Sequence, residues 1–132
     1  MATQVPELFK KWQKVEDNSL QEKSGEGFTT MLTLTAKPVA AGKYRISFNG
    51  EGRTKAGNLN RQCKFRVKVD GVTKMIRTLA VENEWNGSAG WDFQAFSEGD
   101  TPVVIVEVQR FGSGAGNVEV QKLKLSIERM EE

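Results

Sequence analysis

The chain has 132 residues, 38% of them apolar and 27% charged, no histidine, one cysteine and a formal net charge of +2. That length and apolar content support one domain with its own core and argue against disorder. Without histidine, the commonest general base and metal ligand is gone, and with one cysteine the usual zinc sites and His-dependent nucleophiles are excluded.

Met1-Ala2-Thr3 opens without the basic and apolar regions of an export signal, and no stretch reaches the length of a membrane span, so no membrane partner is expected. Val5, Leu8, Phe9, Trp12 and Val15 follow with helical spacing, with Thr3 as a candidate cap and Pro6 in the first turn. The segment reads as a short helix closing one end of the domain, or as an arm that orders on a partner. Asp17-Asn18-Ser19 breaks the pattern and Lys23 to Gly27 reads as a loop, so residues 1–27 form an N-terminal arm or short helix plus loop and residues 28–132 the folded domain.

From Phe28 the period changes to two. Phe28, Thr30, Leu32 and Leu34 face one way, and Lys37-Pro38 ends the strand because proline lacks the ladder donor. Tyr44, Ile46 and Phe48 alternate inward against Lys43, Arg45 and Ser47, and Cys63, Phe65, Val67 and Val69 alternate against Lys64, Arg66, Lys68 and Asp70. Cys63 is thus read as a small buried apolar residue. Asp70-Gly71 is a two-residue hairpin signal, since both positions need positive φ. The return strand to Ala80 has an unsettled register, because Met75, Ile76 and Leu79 do not alternate.

Asn83 to Gly90 reads as a loop, and Trp91, Phe93 and Ala95 as the inward face of the next strand. Val103 to Phe111 is a strand with Val104, Val106 and Val108 inward, and Gly112 to Asn117 is a hairpin tip. In Val118 to Arg129, Val118 and Val120 share one parity while Leu123, Leu125 and Ile127 share the other. That switch demands a bulge near Gln121-Lys122. About seven strands with short turns and no intervening helices specify an all-β, two-sheet antiparallel β-sandwich of jelly-roll type.

Chemistry-bearing motifs are scarce. Glu82 with Glu84 and Glu98 with Asp100 flank turns and do not form a carboxylate pair, and Gly112-x-Gly114-x-Gly116 lacks the following helix and Gly-Lys-Ser/Thr of a phosphate loop. No catalytic residue, cofactor or metal is expected.

Charge is unevenly placed. Residues 1–27 carry a net −1, residues 28–80 a net +9 and residues 81–132 a net −6. Arg53, Lys55, Arg61, Lys64, Arg66 and Lys68, with Lys43 and Arg45, are candidates for one outward basic patch. The favoured reading is cross-strand pairing with Glu107, Glu119 and Glu128, ahead of subunit contacts. Nucleic acid ranks last, because Tyr44, Phe48 and Phe65 fall on the core parity and leave no aromatics between the bases of a bound strand. Trp85 and Trp91 beside Asn83, Asn86 and Asp92 offer a platform for a sugar ring, against the favoured, plainer reading that Trp85 covers a loop and Trp91 starts a core strand.

Pro38 to Phe48, with its Gly42-Lys-Tyr-Arg-Ile strand, the Phe65-Arg-Val-Lys-Val-Asp-Gly71 hairpin, Phe93-Gln-Ala-Phe-Ser-Glu-Gly99 and the long final strand Glu119 to Arg129 together resemble the small jelly-roll virion proteins of tailed bacteriophages. The likeness covers residues 28–129, and C1q- and tumour-necrosis-factor-like jelly rolls share part of it. It implies a non-enzymatic decoration or cement protein on the capsid surface, or a tail or fibre module, made in the host cytoplasm. Its implied partners are the major capsid protein and itself, as a homodimer or homotrimer. Leu8, Phe9 and Trp12 are then candidate clamp residues, and Arg53, Lys55, Arg61, Lys64, Arg66 and Trp85 candidate contact residues.

Overall fold

The computed structural model describes residues 10–23, 27–54, 62–80, 85–111 and 118–130. Among them are nine strands and no helix: β1 (Trp12–Asp17), β2 (Gln21–Lys23), β3 (Thr29–Thr35), β4 (Gly42–Thr54), β5 (Gln62–Val69), β6 (Val72–Ala80), β7 (Asn86–Phe96), β8 (Val103–Phe111) and β9 (Val118–Arg129). One sheet has the order β1-β9-β4-β7 with β2 also on β9, and the other β3-β8-β5-β6. Every strand pairing is antiparallel. The chain passes from sheet to sheet at nearly every connection, which is the double Greek key of a jelly-roll sandwich.

Alternation builds the core as expected. Tyr44, Ile46 and Phe48 of β4 face Cys63, Phe65 and Val67 of β5, and all six are fully buried, with Val104, Val106 and Val108 of β8 and Leu123, Leu125 and Ile127 of β9 beside them. The Phe48 and Phe65 rings meet between the sheets with centroids 5.0 Å apart, and Tyr44 meets Phe96 at 5.4 Å, both tilted as ring quadrupoles favour. Asp70 and Gly71 take φ of 48° and 82°, closing the β5–β6 hairpin from Val69 to Val72. The β6 register jumps between Thr73 and Met75, which brings Met75 inward and leaves Ile76 out, so the irregular pattern there is a bulge at Lys74.

The bulge in β9 also stands where parity demanded it. Lys122 has φ 54°, and pairing with β4 skips from Gln121 to Lys124. Both halves of the strand stay in one sheet. The bulge falls between its two short partners, β2 on residues 118–120 and β1 on residues 123–128.

Three expectations are corrected. The helix expected over Val5–Val15 is a strand in its described part, because the edge of β9 accepts Trp12 to Asp17 and the chain is tied down before it. The Lys10 amide donates to the Pro38 carbonyl at 2.8 Å, the Tyr44 hydroxyl lies 3.0 Å from the Lys10 carbonyl and 2.8 Å from that of Ala40, and the Gln13 amide bonds the Lys37 backbone twice. Thr3, Val5, Pro6, Leu8 and Phe9 lie outside the described residues. The loop expected from Asn83 to Gly90 becomes strand from Asn86, since the long edge of β4 pairs with all of β7. Within β7 the inward row is Ser88, Gly90, Asp92, Gln94 and Phe96, so Trp91, Phe93 and Ala95 face solvent and not the core. Long side chains of β6 close that inner row: Arg77 lies over Gly90, where an added Cβ would sit 2.8 Å from its Nε, and Lys74 reaches Asp92 at 3.6 Å.

Burial pushes the Cys63 thiol up to about 12. At pH 8 the native protein should therefore resist iodoacetamide and be alkylated once unfolded in urea, as mass spectrometry would read. Prompt labelling of the native state would mean that the sandwich opens around β5.

Candidate functional site

The two opposed charge blocks meet inside the molecule. Strand order sets each basic strand beside an acidic one: β4 lies next to β9, and β5 next to β8. Arg53 Nε stands 2.8 Å from Glu119, Arg66 Nε 2.8 Å from Glu107 with Lys68 at 3.4 Å, and Arg45 3.5 Å from Glu128. These are the three glutamates that cross-strand pairing required. β4 and β5 belong to different sheets, so Lys43 and Arg45 point away from Lys64, Arg66 and Lys68 and the two rows do not form one patch.

Of the candidate contact residues, Arg53 also stacks its guanidinium on Trp85 at 4.5 Å, and Arg66 stacks on Phe28 at 3.7 Å. Both cations and Trp85 are thus engaged within the fold, and Lys64 also has a partner. Lys55 and Arg61 lie outside the described residues, as do Glu82, Glu84 and Gly112 to Asn117. Asp100 serves its turn, accepting from the Ser97 amide at 2.9 Å. Among the described residues no three metal-ligating side chains converge.

What remains open is the outer face of the β1-β9-β4-β7 sheet. Register places Trp12, Glu128, Arg45 and Phe93 in one row across it, and Lys14, Ser126, Ser47 and Trp91 in the next. Trp12 is 53% and Trp91 63% exposed, so no described residue covers either of these large apolar side chains. Lys14 stands 5.6 Å over Trp12 and Lys43 4.8 Å over Phe93. Beyond Trp91 the outward residues of β7 shrink to Ala89 and Gly87, leaving a hollow of about 370 Å³ lined by these two with Asn49, Glu51 and Lys122. The sequence offers Trp91 as a sugar-stacking candidate but does not disclose this face, because aromatics occur on both parities between Trp91 and Phe96. Only Phe96 marks the core row, and nothing in the sequence ranks it above Trp91.

No family model and no curated protein matches the chain. Similarity is found in solved structures. A chain in the structure of infectious bursal disease virus, Gx strain, superposes with a TM-score of 0.55 at 15% identity over 88% of this chain, and one from the Gt strain with 0.54 at 11% over 98%. This chain spans about a third of those viral chains, 31% and 37% of their lengths. A family 35 carbohydrate binding module from Clostridium thermocellum aligns with 85% of this chain and 90% of its own at 15% identity, but its TM-score of 0.38 bears on neither fold nor ligand. At these identities the viral likeness establishes a shared jelly-roll sandwich.

Proposed function

We propose that the chain is a non-enzymatic structural protein of a virus particle, a decoration protein seated on the outer surface of a phage head as a homodimer or homotrimer. The observation that carries this reading is a rigid jelly roll whose charges are spent on its own cross-strand pairs while two tryptophans stand uncovered on one sheet face. Internal pairing of Arg53 and Arg66 takes up two of the cations that a phosphate backbone would use. The sandwich likeness to the virus chains and the resemblance of residues 28–129 to phage virion proteins both support it.

Attachment would run through the β1 edge, where Trp12 is exposed and residues 1–9 precede it; large aromatics dominate interface energies. Leu8 and Phe9 would act with Trp12 as the clamp, and Lys55 and Arg61 as secondary contacts, whereas Arg53, Lys64, Arg66 and Trp85 are already engaged. Several copies linked in an oligomer turn weak single contacts into firm attachment through effective concentration. The test is mass spectrometry of gradient-purified particles. The chain should be present in many copies, its loss should lower the heat resistance of the head, and Trp12→Ala should reduce occupancy about tenfold or more. Absence from particles would remove the proposal.

A further inference from the structure

We propose that the hollow beside Trp91 is a binding site for a neutral oligosaccharide. This rests on the geometry of the β4–β7 surface and not on the virion reading.

Three features converge there. The first is shape. A hollow of about 370 Å³ falls within the range of small-ligand sites, roughly 300–1,000 Å³. It exists because Gly87 and Ala89 occupy the outward positions of β7; Trp91 is the next outward residue along the strand, one position beyond the lining.

The second feature is the kind of polar group present. Ser47 and Ser126 sit side by side next to Trp91, and Asn49 stands between Lys124 and Ala89. The side chains of these three residues make no hydrogen bond with any described residue. They offer two hydroxyls and an amide, each able to donate and accept. Glu51 accepts from the Gln121 amide at 2.8 Å and retains acceptor capacity toward the hollow.

The third feature is charge. Lys122 stands 3.8 Å from Glu51 and Arg45 3.5 Å from Glu128, while Lys124 at 3.9 Å and Lys14 at 3.0 Å share Glu16. Lys122, the cation that lines the hollow, is offset by Glu51, so a phosphate or sulfate there would find no uncompensated charge. A protein partner would meet Phe93 on one side of Trp91, but Ser47 and Ser126 across the sheet and Asn49 toward the hollow, a mostly polar rim that excludes water poorly. A sugar ring fits all three features: its C–H face stacks on an indole, and its hydroxyls match unpartnered hydroxyl and amide groups. Trp91 lies across the sheet from Trp12, three strand spacings or about 14 Å away, so a sugar bound at the β7 edge leaves the β1 edge free for attachment.

The experiment is calorimetry and tryptophan fluorescence on the full chain with hexasaccharides of β-1,4-linked glucose, N-acetylglucosamine, mannose and xylose as probes. At least one should bind with a Kd on the order of 100 µM, insensitive to salt because no net charge is used. Trp91→Ala should weaken binding about tenfold or more. Gly87→Phe should do the same by filling the hollow. A Cβ at Gly87 meets nothing within 4 Å, so a side chain can leave the backbone there, and an unchanged Tm is the control that the fold accepts the ring. No binding to any of the four probes, binding that ignores both substitutions, or an affinity falling steeply with salt would each overturn the assignment. If both substitutions lower particle occupancy while no sugar binds, the face is a protein interface and the assignment is equally wrong. Trp12→Ala should leave sugar binding intact, which separates this site from the attachment proposed above.

Discussion

Replacing Phe65 with alanine should cost about 3–5 kcal/mol, the range for truncating a fully buried aromatic. Phe65 lies mid-strand in β5, hydrogen-bonded on both sides by β6 and β8, with its ring 5.0 Å from that of Phe48 in the opposite sheet. Ladders on both sides hold the backbone, so the walls cannot collapse into the space the ring leaves. The cavity term therefore adds to the lost burial. Urea unfolding should show the midpoint displaced with little change in slope, whereas Phe93→Ala on the outer face should shift it by under about 1 kcal/mol. A loss below about 1.5 kcal/mol at Phe65 would mean that the two sheets do not meet where β4 crosses β5.

Glu107→Gln should cost about 2 kcal/mol at neutral pH and progressively less in acid. The carboxylate is 12% exposed and accepts from Arg66 at 2.8 Å and Lys68 at 3.4 Å. Burial pushes its carboxyl up, but the hydrogen bonds from Arg66 and Lys68 and their charges outweigh burial and leave it below its usual 4.5. A carboxylate held lower in the folded than in the unfolded chain stabilises the fold above its ordinary value, and that contribution disappears as pH falls through the folded value. The wild-type protein and the Glu107→Gln variant should thus differ at pH 7 and converge well below pH 4.5. Urea midpoints measured across that range check both the sign and the window; a gap independent of pH would show that the ion pair is not its source.

The parts of the fold legible in the sequence are those where one physical rule acted alone. Strict alternation in Tyr44 to Phe48 and Cys63 to Val69 leaves a single way to bury them, and a two-residue turn that needs positive φ leaves Asp70-Gly71 little choice. The parity switch after Val120 required an extra residue, and Lys122 supplies it. The pairing of Arg45, Arg53 and Arg66 with three glutamates followed from alternation together with antiparallel order. Where rules competed, the sequence misled. Trp12 and Val15 fit a helical stripe, yet the available edge of β9 and the bonds from Pro38 and Tyr44 decide for strand, a tertiary override of local pattern. Asn86 to Gly90 has the composition of a turn but pairs with β4 throughout. The hollow was hidden for the same reason, since its defining residues Gly87 and Ala89 carry no apolar signal.

The position of β9 has a consequence for biosynthesis. It lies between β1 and β2 on one side and β4 on the other, and β4 residues pair with partners about 65–85 positions later in the chain, from Thr54 with Val118 to Tyr44 with Arg129. While the polypeptide is still being made, β1 and β2 have no template to zip against, and β4 has only β7 on its other side. The core can close only when β9 has left the ribosome, so folding should be slow and post-translational, and nascent chains stopped before residue 118 should be substrates for chaperones and proteases.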